Sequence, residues 1–118
     1  MNGLREDIDL TPLIGAHVTQ LCIGEYQCLL NLDTADYVAI ESTCMLVSGN
    51  GSTTSVTSYA ASATRLAELL GTTIKSATRI GNGGLSLSFT GGSTLEIFND
   101  QLHYESFQVH IGDVVHVA

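Results

Sequence analysis

The stretch IGEYQCLLNLDTADYVAI, Ile23 to Ile40, recurs in pattern as IGNGGLSLSFTGGSTLEI, Ile80 to Ile97, at an offset of 57 positions. Ile23 falls on Ile80, Gly24 on Gly81, Cys28 on Leu85, Leu30 on Leu87, Leu32 on Phe89, Val38 on Leu95 and Ile40 on Ile97. Gly15 and Val18 fall on Gly71 and Ile74 at an offset of 56, so a one-residue slip is expected near positions 19–22. A chain that repeats an alternating pattern builds the same local unit twice, and this constrains the fold more than composition does. The repeat also settles the role of GNGG (81–84). Its counterpart is GEYQ, with one glycine, and a period-two strand follows it rather than the helix N-terminus that a phosphate cradle needs. Its glycines are turn residues that reach positive φ without steric cost, and TGGS (90–93) matches DTAD (33–36) as a second turn.

Alternation marks the strands. HVTQLCI (17–23), CLLNL (28–32), YVAIE (37–41) and CMLVS (44–48) lie in the first half. TIKSATRI (73–80), LSLSF (85–89), TLEIF (94–98) and YESFQVHI (104–111) lie in the second, with VVHV (114–117) as a further last strand. Between the halves a polar loop leads into a helix over 59–70. Ser58 is its N-cap, Tyr59, Ala63, Leu66 and Leu70 form its buried stripe, and Gly71 is its stop. The expectation is a mainly β (α+β) single domain over 1–118, with similar halves at 13–48 and 70–111 joined by that helix. About eight antiparallel strands would form a sandwich or a half-barrel, one unit packed on the other. Leu30, Leu32, Val38, Ile40, Leu87, Phe89, Leu95 and Ile97 are the predicted core.

A chain of 118 residues with 44% apolar content holds one core without staples. No apolar run approaches the ~20 residues of a membrane helix. The opening MNGLREDIDL lacks a basic and an apolar signal region, which makes the cytoplasm the expected compartment. Three cysteines, Cys22, Cys28 and Cys44, with no C-x-x-C, read as small buried hydrophobes. A Cys22–Cys28 bridge across a hairpin stays open. Twelve acids oppose four bases, a net charge of −8. That sign opposes binding to nucleic acid and to anionic membranes, and it permits a cationic partner. Residues 1–59 hold seven of the acids against Arg5 alone.

The motifs resemble a family of small, largely uncharacterised bacterial β-rich proteins. The matching positions are Gly15 with Val18, Leu30 with Leu32, and Ile40 with Glu41. They continue through Leu69, Leu70 and Gly71, then Leu85, Leu87, Phe89 and Gly92, and finally Tyr104, Glu105, Ser106 and Phe107. The resemblance covers residues 13–110. In size and acidity the family is similar to immunity proteins of polymorphic and contact-dependent toxin systems. The resemblance implies a cytosolic protein that neutralises a toxin, and it implies no active site.

Chemistry is sparse in the sequence. There is no G-x-S-x-G, and His17, His103, His110 and His116 form no metal-ligand spacing, so an enzyme, a metal and a cofactor are not expected. His103 and Glu105 share a strand face. Glu41 and Glu105 stand among apolar strand neighbours, where a carboxylate is either satisfied at an edge or waiting for a partner's cation. The leading expectation is a binding protein that neutralises a basic cognate toxin, a nuclease foremost, through an acidic surface of Glu25, Asp33, Asp36 and Glu41 with Glu6, Asp7 and Asp9. The alternative is a small-molecule binder with an apolar pocket between the halves and Tyr26, Tyr104 and His103 as its polar fixtures.

Overall fold

The structure, a computed structural model, describes residues 3–100 and 106–118. It is mainly β. Among the described residues ten strands form two antiparallel five-stranded sheets. The strands are β1 (Val18–Ile23), β2 (Cys28–Leu32), β3 (Tyr37–Ile40), β4 (Cys44–Val47), β5 (Thr53–Val56), β6 (Ile74–Ile80), β7 (Gly84–Phe89), β8 (Thr94–Ile97), β9 (Phe107–Ile111) and β10 (Val114–Val117). The sheet orders are β1-β2-β3-β9-β10 and β5-β4-β8-β7-β6. Each sheet is therefore a three-stranded meander from one half completed by a hairpin from the other. The halves are interlaced and do not pack as separate units, which corrects the simple face-to-face picture. β5 was expected to be loop, because TTSV shows hydroxyls and no alternation. It becomes a strand because β4 offers it a ladder, Cys44 to Val56 through Val47 to Thr53, and it buries only Val56.

The duplication is visible in the hydrogen bonds. Asp33 N–H donates to His17 O at 3.0 Å and Thr90 N–H to Thr73 O at 2.9 Å. Gly15 N–H donates to Ile74 O and Gly71 N–H to Val18 O, at 2.8 and 2.9 Å. His17 and Thr73, themselves equivalent, form an isolated antiparallel bridge that ties the start of β1 to the start of β6. The register shifts at the same place in both meanders, between Val18 and Gln20 and between Ile74 and Ser76. The slip between the repeats is thus not at 19–22. It lies in the hairpin loops, where Ile23 pairs with Cys28 but Ile80 pairs with Gly84. The structural counterpart of Ile23 is consequently Arg79, whose partner is Leu85.

All eight predicted core residues are buried. They form one cluster with Leu4, Leu10, Leu13, Leu46, Val56, Leu66, Leu69, Phe107 and Val109 among others. The expected helix over 59–70 is much shorter: α1 spans Ala63–Leu66 and continues as a 3₁₀ turn, Ala67–Leu69. The tightening to three residues per turn changes the buried stripe. Leu69 follows Leu66 into the core, while Leu70, expected inside, is 46% exposed. Its equivalent Ile14 follows the matching 3₁₀ turn, Thr11–Leu13, and is 47% exposed. Ser58 does not cap the helix as expected: the N-cap position of α1 is Ser62, which makes no side-chain cap bond, and Ser58 Oγ accepts from Ala61 N–H at 3.3 Å in the turn that precedes it.

Candidate functional site

The chain passes between the sheets at one end of the molecule, through 41–43 after β3 and through the segment that follows β8. Glu41 N–H donates to Ser106 O at 2.9 Å and Phe98 N–H to Thr43 O at 3.1 Å, which ties the two crossovers together. The Thr43 hydroxyl bonds the Asp100 carboxylate. Glu41 is exposed and sits just beyond the end of β3 rather than among apolar strand neighbours. Phe98, the equivalent of Glu41 in the sequence repeat, is exposed just beyond the end of β8. Beneath the crossovers the Tyr59 hydroxyl donates to Ser42 O at 2.6 Å. Burial first, then the neighbouring Cys44, Cys28, Glu41 and Asp100, pushes that phenol well above its ordinary pKa. Glu25 is exposed at the tip of the β1–β2 hairpin, at the same end of the sheet, since Cys28 pairs with both Ile23 and Ile40. Of the bases, Arg79 is engaged locally by Leu4 O at 2.7 Å and Gly81 O at 3.3 Å.

The other predicted acids do not join this group. Asp33 and Asp36 lie in the β2–β3 turn, at the opposite end of β2. Asp33 is exposed, but its Oδ1 accepts from His17 N–H at 3.0 Å. Asp36 is buried, which corrects its expected place on a contact surface. Its Oδ1 accepts from Gly112 N–H at 3.0 Å and its Oδ2 from the Thr34 hydroxyl at 3.2 Å. His110 Nδ1 lies 3.4 Å from Asp36 Oδ1, and the His110 ring stacks on Tyr37 with centroids 4.9 Å apart. Asp36 thus staples the β2–β3 turn to the β9–β10 turn. Asp7 pairs with Arg5 at 2.8 Å, and Asp9 Oδ1 accepts from both the hydroxyl and the N–H of Thr11. The Thr11 hydroxyl first, then its N–H, lowers the pKa of Asp9. Glu6 is exposed on the same segment. Sequence reasoning missed Asp100 and Phe98, because a loop after a strand gives no alternation to read. His103, Tyr104 and Glu105 lie outside the described residues.

All three cysteines are free. Cys22 pairs with Leu29 and Ile23 with Cys28, so the side chains of Cys22 and Cys28 leave opposite faces of the sheet and no bridge forms. Burial pushes the Cys28 thiol to about 11 and the Cys44 thiol to about 12. Among the described residues no group of three or more His, Cys, Asp or Glu side chains could hold a metal, and no helix is long and apolar enough to cross a membrane. Among the described residues two hollows open at the surface. One of about 350 Å³ is lined by Cys22, Ile23, Gly24, Gln27 and Leu29. One of about 360 Å³ is lined by polar groups that include Ser48, Asn50, Glu68 and Thr90. Neither is lined by Tyr26, the described one of the three fixtures expected for a pocket between the halves. Tyr26, expected in that pocket, is 77% exposed at a hairpin tip.

A protein-family profile described as a family of unknown function matches residues 9–118. No curated protein and no solved structure matches the chain.

Proposed function

The chain belongs to DUF6188, a family of unknown function, and from that premise we propose that it is a binding protein for a basic partner, engaged at the crossover end by Glu41, Asp100 and Phe98. The observation that carries this reading is the placement of two exposed carboxylates and an exposed aromatic ring on two segments that backbone hydrogen bonds tie together at this end of the molecule. Exposed carboxylates and a ring on adjoining segments supply what a cationic surface recognises: apolar area for affinity and opposite charge for orientation. Glu25 extends the acidic end. The net charge of −8 supports steering of a positively charged partner at a distance. A basic protein toxin, a nuclease foremost, fits this chemistry, which makes the chain an immunity protein acting in the cytoplasm. Asp36 drops out as a contact because it is buried and both its oxygens are bonded internally, and Asp33 because it lies at the opposite end of β2.

The test is co-expression with the product of the adjacent reading frame, followed by association kinetics at increasing salt. A Glu41→Lys/Asp100→Lys variant is expected to slow association by at least about tenfold at low salt. A rate that ignores both salt and this variant would sink the reading.

A further inference from the structure

We propose that β10 is a docking edge, onto which an extended segment of the basic partner adds as an extra antiparallel strand of the β1-β2-β3-β9-β10 sheet. This rests on the cationic-partner reading above.

The two sheets present four edge strands, and three are protected. β1 and β6 each carry a register shift near their start and are tied to each other by the His17–Thr73 bridge. β5 is built of Thr53, Thr54 and Ser55 before Val56, and Arg65 covers it: its Nε donates to Thr54 Oγ1 at 3.2 Å while Glu68 holds its Nη1 at 3.3 Å. Among the described residues β10, the counterpart of β5, has none of these devices. It pairs with β9 through four consecutive partners, Val114–Ile111 to Val117–Gln108, without a shift. It carries no proline and no charge, and Val114, Val115 and Val117 are 53%, 43% and 37% exposed. Folded proteins blunt such edges by charge, proline, bulge or cover, because a bare edge offers unpaired N–H and C=O groups in a row. A bare apolar edge beside three guarded ones is what strand addition requires.

The flanking charge selects the occupant. Asp113 stands in the turn before β10. At the other end Ala118 O accepts from Ser106 N–H, and Ser106 O accepts from Glu41 N–H, so Glu41 stands at that end of the sheet, two strands in from the edge. The apolar edge thus lies between one acid at its own turn and another at the far end of its sheet. A second copy of the chain would bring its own charge of −8 to the contact, and the few exposed side chains of one short strand fall well short of the ~800 Å² per partner of a stable interface. A segment with alternating aliphatic residues between lysines or arginines complements both features, and its parent protein supplies the remaining area at the crossover end.

The experiment follows amide hydrogen exchange by NMR on the full chain with two probe peptides of equal charge. One alternates threonine and valine between lysine pairs. The other replaces that core with glycine and proline. The strand-forming peptide is expected to slow exchange at Val115 and Val117 by at least about tenfold, with no change in β5. The variant Val115→Lys/Val117→Lys, altered only at exposed positions, is expected to abolish the effect. Equal binding of both peptides without slowing in β10 would overturn strand addition and leave the charge reading standing. Binding of neither would remove both. Slow exchange in β10 without peptide, together with a dimer mass in sedimentation, would overturn the proposal in favour of self-pairing.

Discussion

The two halves use one backbone plan with different side chains at equivalent places, and the difference separates what the fold needs from what it leaves free. The β2–β3 turn reaches positive φ with Ala35 at +70°, and the β7–β8 turn does so with Gly92 at +93°. Asp36 holds Gly112 N–H in the first turn, whereas Ser93, its counterpart, leaves a hollow beside the longer β4–β5 loop. The outer face of the second sheet is a hydroxyl carpet across Ser76, Thr78, Ser86, Ser88 and Thr94. The outer face of the first presents Cys22, Leu29, Ala39, Val115 and Val117 with the Tyr37–His110 stack. Inward positions were kept apolar in both halves, and the outward ones diverged. Packing makes the same demand on the two halves, and the asymmetry lies on the surface.

Substitutions at equivalent positions put this comparison at risk. Phe89→Ala is expected to cost about 3–5 kcal/mol and Leu32→Ala about 2–5 kcal/mol, since both side chains are buried against the opposite sheet. Because each sheet contains strands of both halves, either change should shift a single cooperative urea transition; two separate transitions would mean the halves fold independently. Asp36→Ala should cost about 1–3 kcal/mol by stranding Gly112 N–H, against less than about 1 kcal/mol for Ser93→Ala. Equal losses would deny Asp36 its role as a staple.

A smaller contrast lies in the turns themselves. Ala35→Gly should stabilise by up to about 1 kcal/mol, and Gly92→Ala should destabilise by about 1–2 kcal/mol, because an L side chain resists left-handed backbone. At Gly92 a methyl group would also press on Gly49 Cα at 3.2 Å. Thermal melts of the two variants should move in opposite directions. Least visible near neutrality is a titration. The Cys28 and Cys44 thiols bind their protons more tightly folded, to about 11 and about 12, than at the ordinary 9.0. The folded state then holds more protons than the unfolded one above pH 9, so stability should be flat below that point and fall as pH rises towards 11 and 12. Chemical denaturation across that range checks it, with a Cys44→Ala variant expected to show a shallower fall.

The candidate site was only partly legible. Glu41 and Glu25 could be named as exposed acids, but Asp36 could not be told from them. A carboxylate in a turn reads the same whether it faces water or a neighbouring loop, and the neighbour here, Gly112, is far along the chain. Asp100 and Phe98 became conspicuous only when hydrogen bonds to Thr43 tied them to the segment that carries Glu41. The short helix differs from the expected one for a local reason: the stripe at 4, 3 and 4 and the observed segment share Tyr59 and Leu66, but Ser62 is buried where Ala63 was expected and Leu69 where Leu70 was.

The sequence by itself determined the two meanders, the turns between their strands and the inward set from Leu30 to Ile97, because period-two alternation and turn chemistry act between residues close along the chain. Only the tertiary structure decided that each meander borrows its last hairpin from the other half, that β5 is covered and β10 bare, and which acids meet. Those outcomes depend on which of several compatible ladders closes the most apolar surface, and that is a choice among distant segments.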